Sequence, residues 1–158
     1  MAWIAIRDKL VTTVKTASGI GQVEGFRRQI RFWDDYIAKT VKDGRVNFWE
    51  IDRIGRVRTL DGVSGAPSVW RIAHRVTILG RMSMKDEDET SEIFMPLVDA
   101  VDDKLRADPL LNLGTPGNES LLLPFETAAP IIGHDKYGDV LCHLATFAFD
   151  VIERVGGP

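Results

Sequence analysis

The sequence predicts an α+β fold: a mainly antiparallel sheet of about four to five strands covered by two or three helices. Three observations predict it. Ser68–Met82 (SVWRIAHRVTILGRM) places Trp70, Ile72, His74, Val76, Ile78 and Met82 on one parity and Arg71, Ala73, Arg75, Thr77 and Arg81 on the other, the period-2 pattern of a half-buried, central strand. After the acidic run KDEDETSE, the segment IFMPLVDAVDDKL carries Ile93, Phe94, Leu97, Val98, Val101 and Leu105 at helical spacing, the stripe of a helix that covers such a strand. The chain is 158 residues long, 44% hydrophobic and 27% charged, which fits one domain over residues 1–158 with a core that needs no covalent staple.

The remaining elements follow in order. Trp3, Ile6, Leu10, Val14 and Ala17 recur at spacings of three or four, with Arg7, Lys9 and Lys15 off that stripe, so residues 3–17 form an amphipathic helix. Gly19 ends it, and Ile20–Phe26 reads as a short strand. Trp33, Ile37 and Val41 stand four apart between Asp34 or Asp35 and Gly44, the marks of a short second helix. Arg45–Thr59 is rich in β-formers, with Val46 and Phe48 on one parity and Trp49, Ile51 and Val57 on the other, so both faces of this strand are expected to touch something. The Gly, Ser, Asp and Pro content of Leu60–Pro67 makes it a loop, and the strands on either side pair as an antiparallel hairpin. The outer face of that hairpin is expected to gather Arg53, Arg56, Arg58, Arg71, Arg75 and Arg81.

The carboxylates of Asp86–Glu89 suit a helix start, where exposed amides favour negative charge. Pro96 predicts that the helix is kinked there or begins near Met95, and Asp108 before Pro109 marks its end. Leu110–Ser120 reads as a loop, Leu121–Ile132 with its two prolines as an edge strand or irregular segment, and Gly133–Asp139 as a turn. Val140–Val155 reads as a long strand with apolar residues on both parities, buried on both sides.

Composition narrows the function classes. A single cysteine, Cys142, excludes an intrachain disulfide framework and a four-cysteine zinc site and points to synthesis in a reducing compartment. Charges at Arg7, Asp8 and Lys9 interrupt any signal-peptide core, and no apolar run approaches the roughly 18 residues of a membrane span, so the expectation is a protein neither exported by that route nor membrane-spanning. The net charge of −3 conceals an asymmetry: residues 27–81 hold 12 basic and 6 acidic side chains, residues 82–158 hold 5 and 15. Opposite halves can neutralise each other within one molecule, or meet the opposite face of a neighbouring copy in a head-to-tail ring.

No motif carries catalytic chemistry. His74, His134 and His143 form no HExxH or HxH pair; His74 lies on the apolar parity of its strand and reads as a hydrogen-bonded core or interface residue, and His134 beside Asp135 as an exposed turn histidine. Cys142 and His143 resemble a nucleophile and its base, yet neighbours on a strand point to opposite faces. Gly19 and Gly21 lack the lysine and preceding strand of a phosphate loop, and Asp86–Glu89 lack the ligand spacing of an EF-hand. Arg27, Arg28 and Arg31 with Phe32 and Trp33 have the residue types of a nucleic-acid surface, but two core aromatics and a solvated basic face account for them as well. No catalytic, metal or cofactor site is predicted.

The opening helix closed by SGIGQV, the strand beginning FWEIDR at Phe48, the strand WRIAHRVTILG, the lead-in DETSEIF to a helix continuing LVDAVDDKL, and the late pairing of GHDKYGDV with a hydrophobic strand together resemble the tail terminator proteins of long-tailed bacteriophages. The resemblance covers most of the chain and is one of pattern, with residues 27–44 and 109–125 outside it. It implies a non-enzymatic virion protein without cofactor, assembled in the host cytoplasm and residing at the tail–neck junction. Copies would join as a homo-oligomeric ring, commonly a hexamer, on the tail tube protein, end tube growth and offer a docking surface to head-completion or neck proteins. DNA would only pass through the lumen, and no membrane would be involved. On this reading Arg53, Arg56, Arg58, Arg71, Arg75 and Arg81 line a subunit contact or the lumen. Two alternatives remain: a head–tail connector or tail-completion protein of similar build, and a small ligand-binding or enzymatic domain with a pocket at His74 or His143.

Overall fold

A computed structural model of the chain describes residues 3–26, 38, 40–42, 44–61, 69–84, 89–109, 111, 120–122 and 127–156. In chain order these form α1 (Trp3–Lys15), β1 (Gln22–Glu24), β2 (Val41–Lys42), β3 (Arg45–Asp61), β4 (Val69–Ser83), α2 (Thr90–Ala107), β5 (Ser120–Leu122), β6 (Ile131–Tyr137) and β7 (Val140–Gly156). The class is α+β, with seven strands and two helices among the described residues. The sheet runs β1-β3-β4-β7-β5, with β2 beside β3 and β6 beside β7. It exceeds the expected four to five strands, and it is not wholly antiparallel, because β1 pairs with β3 in parallel. β1 falls within the short strand expected at Ile20–Phe26; the excess comes from β2, two residues long and too short to leave a periodic signal, and from β5 and β6 standing where one edge segment was expected.

β3, β4 and β7 are the frame. β4 lies between the other two, antiparallel to both, and its even-numbered residues turn toward the helices. Val76, Ile78 and Met82 of β4 meet Trp49 and Ile51 of β3 and Ala145, Phe147, Phe149 and Val151 of β7 in one continuous core. Ile6, Leu10 and Val14 of α1 and Phe94, Leu97, Val98, Val101 and Leu105 of α2 close it from above. The long strands and both stripes run where expected, but Ile93 stands outside the α2 stripe and is exposed, and Val57, expected on the face of Trp49 and Ile51, lies exposed on the other face of β3. Trp49 is the centre of this core, stacking near Phe94 and Phe147, with its indole N–H donated to Asn47 Oδ1 at 3.3 Å. Gly80 is its cross-strand partner, and a Cβ there would come within 2.5 Å of the indole ring. A side chain at residue 80 and a tryptophan at residue 49 exclude each other.

Several expectations need correction. Trp33 and Ile37 of the second predicted helix lie outside the described residues, and Ala38 and Thr40 are helical, but Val41 is exposed in β2, and Gly44 takes φ +74° in the tight turn into β3. α2 starts at Thr90 and runs through Pro96 rather than beginning near Met95. Tertiary burial of Phe94, two residues earlier, outweighs the proline's local preference. The segment 133–137, expected as a turn, is strand; only Gly138 and Asp139 turn, with Gly138 at φ +59° in a two-residue hairpin from β6 to β7. β7 is not buried on both sides throughout: Ala148 and Asp150 are exposed on the helix-free face, and only its first residues are covered there, where Val140 and Cys142 meet Val46, Phe48 and Tyr137.

Candidate interaction surfaces

The six arginines do not share a face. Ile54 is a β-bulge between Arg53 and Gly55, so the parity of β3 reverses along its length. Arg53 pairs with Val76, Arg56 with His74 and Arg58 with Ile72, which puts all three on the helix side of the sheet. Arg71 and Arg75 lie on the opposite face, across from Thr59 and Gly55, and so does Arg81, across from Phe48. The expected single arginine face is thus replaced by three separate settings.

The first setting is the helix side of the outer hairpin. Arg53 reaches 5.3 Å from the Trp3 ring centroid, and Arg58 lies 3.8 Å from that of Trp70. His74, buried beneath them, is held from both ends: Arg53 Nη1 donates to Nδ1 at 3.5 Å, and Nε2–H donates to Glu153 Oε2 at 3.2 Å. That arrangement uses the neutral ring fully, since Nδ1 cannot take a proton without losing the guanidinium. Burial pushes the His74 pKa down to about 4, with Arg53, Arg56 and the N-terminal ammonium adding to the effect. Trp3 stacks over the imidazole at 6.0 Å and ties the start of α1 to the chain Arg53–His74–Glu153. His74 is a satisfied core residue. Glu153 went unnoticed in the sequence, though it stands on the apolar parity of β7, opposite the parity of β4 that carries His74.

In the second setting, Arg71 and Arg75 are exposed on the helix-free face. Their cross-strand partners on β7 are Arg154 and Asp150. A groove of about 360 Å³ runs here between Ile54, Arg75, Ala148 and Asp150. Arg154 extends the basic row from a strand in which the sequence showed mainly apolar residues.

The third setting is Arg81 alone, and it is internal. Its guanidinium donates to Glu50 Oε2 at 3.0 Å and to Asp135 Oδ2 at 3.2 Å while lying over Phe48 and Tyr137. Fixed this way, it joins β3, β4 and β6 and is not presented to a partner.

Cys142 and His143 point to opposite faces, as their adjacency requires. Burial raises the Cys142 thiol to about 11, so it is held as a neutral side chain beside Phe48 and Tyr137. His143 stacks on Phe94 at 5.4 Å, with Nε2 3.0 Å from Thr90 Oγ1, and pairs across the hairpin with His134. These groups border a cleft of about 370 Å³ at the start of α2 that also takes in Glu89 and Glu92. Among the described residues no three His, Cys, Asp or Glu side chains converge as a metal site, and no helix is long and apolar enough to cross a membrane.

The outer end of the hairpin and the outer face of α2 remain as surfaces. No strand among the described residues pairs with the far edge of β3 from Arg53 to Asp61, and Ile54, Val57 and Leu60 are exposed along it at 60%, 42% and 56%. No protein-family model and no curated protein matches the chain.

Proposed function

We propose that the protein is a structural tail terminator whose copies form a ring, commonly a hexamer, that caps a phage tail tube, ends its growth and receives the neck. The observation that supports this reading is the edge of β3 from Arg53 to Asp61, which no strand among the described residues pairs with. A nine-residue strand edge with three exposed apolar side chains is a standing invitation to pair or to be covered. Head-to-tail closure of identical copies covers such an edge once per subunit and leaves none free. The charge asymmetry of the chain favours the same arrangement, since a basic hairpin on one copy meets an acidic flank on the next.

In this ring Arg53, Arg56 and Arg58 belong to the subunit contact. Arg71 and Arg75 belong to the lumen: they sit on the helix-free face, and Asp150 beside Arg75 keeps that face only modestly basic, as suits DNA that passes without being gripped. Arg81 does neither. A head–tail connector would share the ring and differ in the defect its loss produces. The test is electron microscopy of particles assembled without this gene. Tails of uncontrolled length, unjoined to filled heads, are expected; tails of normal length, unjoined to heads, indicate a connector, and normal joined tails overturn the reading.

A further inference from the structure

The ring reading leaves open which surfaces meet, and the inference below rests on that reading. α1 lies over the β3 side of the sheet, whereas α2 leans to the β7 side, where Thr90 and Phe94 contact His143 and Asp102 accepts a hydrogen bond from Thr127 at 3.0 Å. The outer face of α2 and the β3 edge that no described strand pairs with are separate surfaces of one subunit, as a heterologous contact requires.

The two surfaces are complementary in charge and in apolar content. Along the outer face of α2, Glu92, Asp99 and Asp103 recur at helical spacing, with Ile93 and Met95 exposed at 40% and 41% beside them. Along the β3 edge, Arg56, Arg58 and exposed Leu60 share the helix side, with exposed Val57 between them on the other face. None of these five charged side chains has an ion-pair partner among the described residues, although the molecule pairs charges elsewhere, as at Arg81 and at Arg106–Asp102. We infer that the β3 edge of one copy, through Arg56 and Arg58 with Val57 and Leu60, seats on the acidic outer face of α2 of the next copy, at Glu92, Asp99 and Asp103 with Ile93 and Met95. The occupant of each surface is a second copy of this chain.

Charge reversal tests the pairing, read as sedimentation velocity over a range of concentrations. R56E/R58E and D99K/D103K each weaken association by more than about tenfold, because each sets like charges against each other. The quadruple variant, which exchanges the signs, recovers most of it. All substituted side chains are exposed, and circular dichroism checks that the variants fold. As a milder control, R56Q/R58Q weakens association and flattens its dependence on salt. Association of either reversed double variant at wild-type strength overturns the pairing and leaves the ring standing, and so does a quadruple variant no better than the doubles. A wild-type chain that stays monomeric throughout overturns the ring reading, and the pairing with it.

Discussion

The inner and outer halves of the β3–β4 hairpin make an instructive pair. Both are antiparallel, continuous in register except at Ile54, and similar in β-forming content. In the inner half, Phe48, Trp49, Ile51, Ile78 and Met82 are buried; in the outer half, Ile72 and His74 of β4 are still buried, whereas Ile54, Val57 and Leu60 of β3 stand in solvent. What differs is the cover. α1 and α2 lie over the inner half, with the cluster around Tyr137 and Cys142 behind it, while beyond the bulge the strands carry arginines on both faces. A strand's own residues propose which side is buried, and the neighbouring elements decide whether it is. The inner half makes the fold, and the β3 strand of the outer half is available to something outside it.

That contrast can be broken most sharply at Trp49. Trp49→Ala should cost about 3–5 kcal/mol of stability in chemical denaturation, the range for emptying a tightly packed aromatic site. By contrast, Leu60→Ala in the outer half should stay within roughly 0.5 kcal/mol for the monomer. Comparable losses at the two positions would erase the distinction. Next in size is the acid response carried by His74. Its pKa in the fold lies near 4 and in the unfolded chain near 6.5, so the unfolded state takes up the proton first. Its contribution is whole above pH 6.5 and is lost as pH falls toward 4, by roughly 3 kcal/mol at most. Denaturation midpoints across that window should flatten in His74→Gln, and an unchanged slope would contradict the account of the Arg53–His74–Glu153 chain.

Smaller effects sharpen the picture. Gly80→Ala pushes a methyl against the Trp49 ring and should cost about 1–3 kcal/mol, seen as a lower melting temperature. Arg81→Ala removes charged hydrogen bonds to Glu50 and Asp135 and should cost roughly 2 kcal/mol while leaving self-association unchanged, in contrast to Arg56 and Arg58. Light scattering separates the two: weaker association in Arg81→Ala at equal folded fraction would move Arg81 to the interface.

The frame was legible because its signals are long. The alternation of Ser68–Met82 gave β4 its helix-facing side, and Ile6, Leu10 and Val14 gave α1 its stripe. Arg53 stands on the opposite parity to Arg56 and Arg58, and it is the bulge at Ile54 that brings all three to the helix side, because a one-residue slip sends every later side chain to the other face. Gly55, a glycine inside a strand, was the available signal. β6 was hidden because edge strands take polar residues freely, so GHDKY reads as a turn although only the following Gly138 and Asp139 make one. The His74–Glu153 pair joins residues 79 positions apart, and only the register of β4 against β7 brings them together.

The claim on which the functional account turns is that the exposed half of the hairpin is covered by another copy of the same chain. Sedimentation velocity of the purified protein over a hundredfold range of concentration tests it most directly. The account predicts a monomer giving way to one discrete closed oligomer, commonly six subunits, whereas a monomer at every concentration would contradict it.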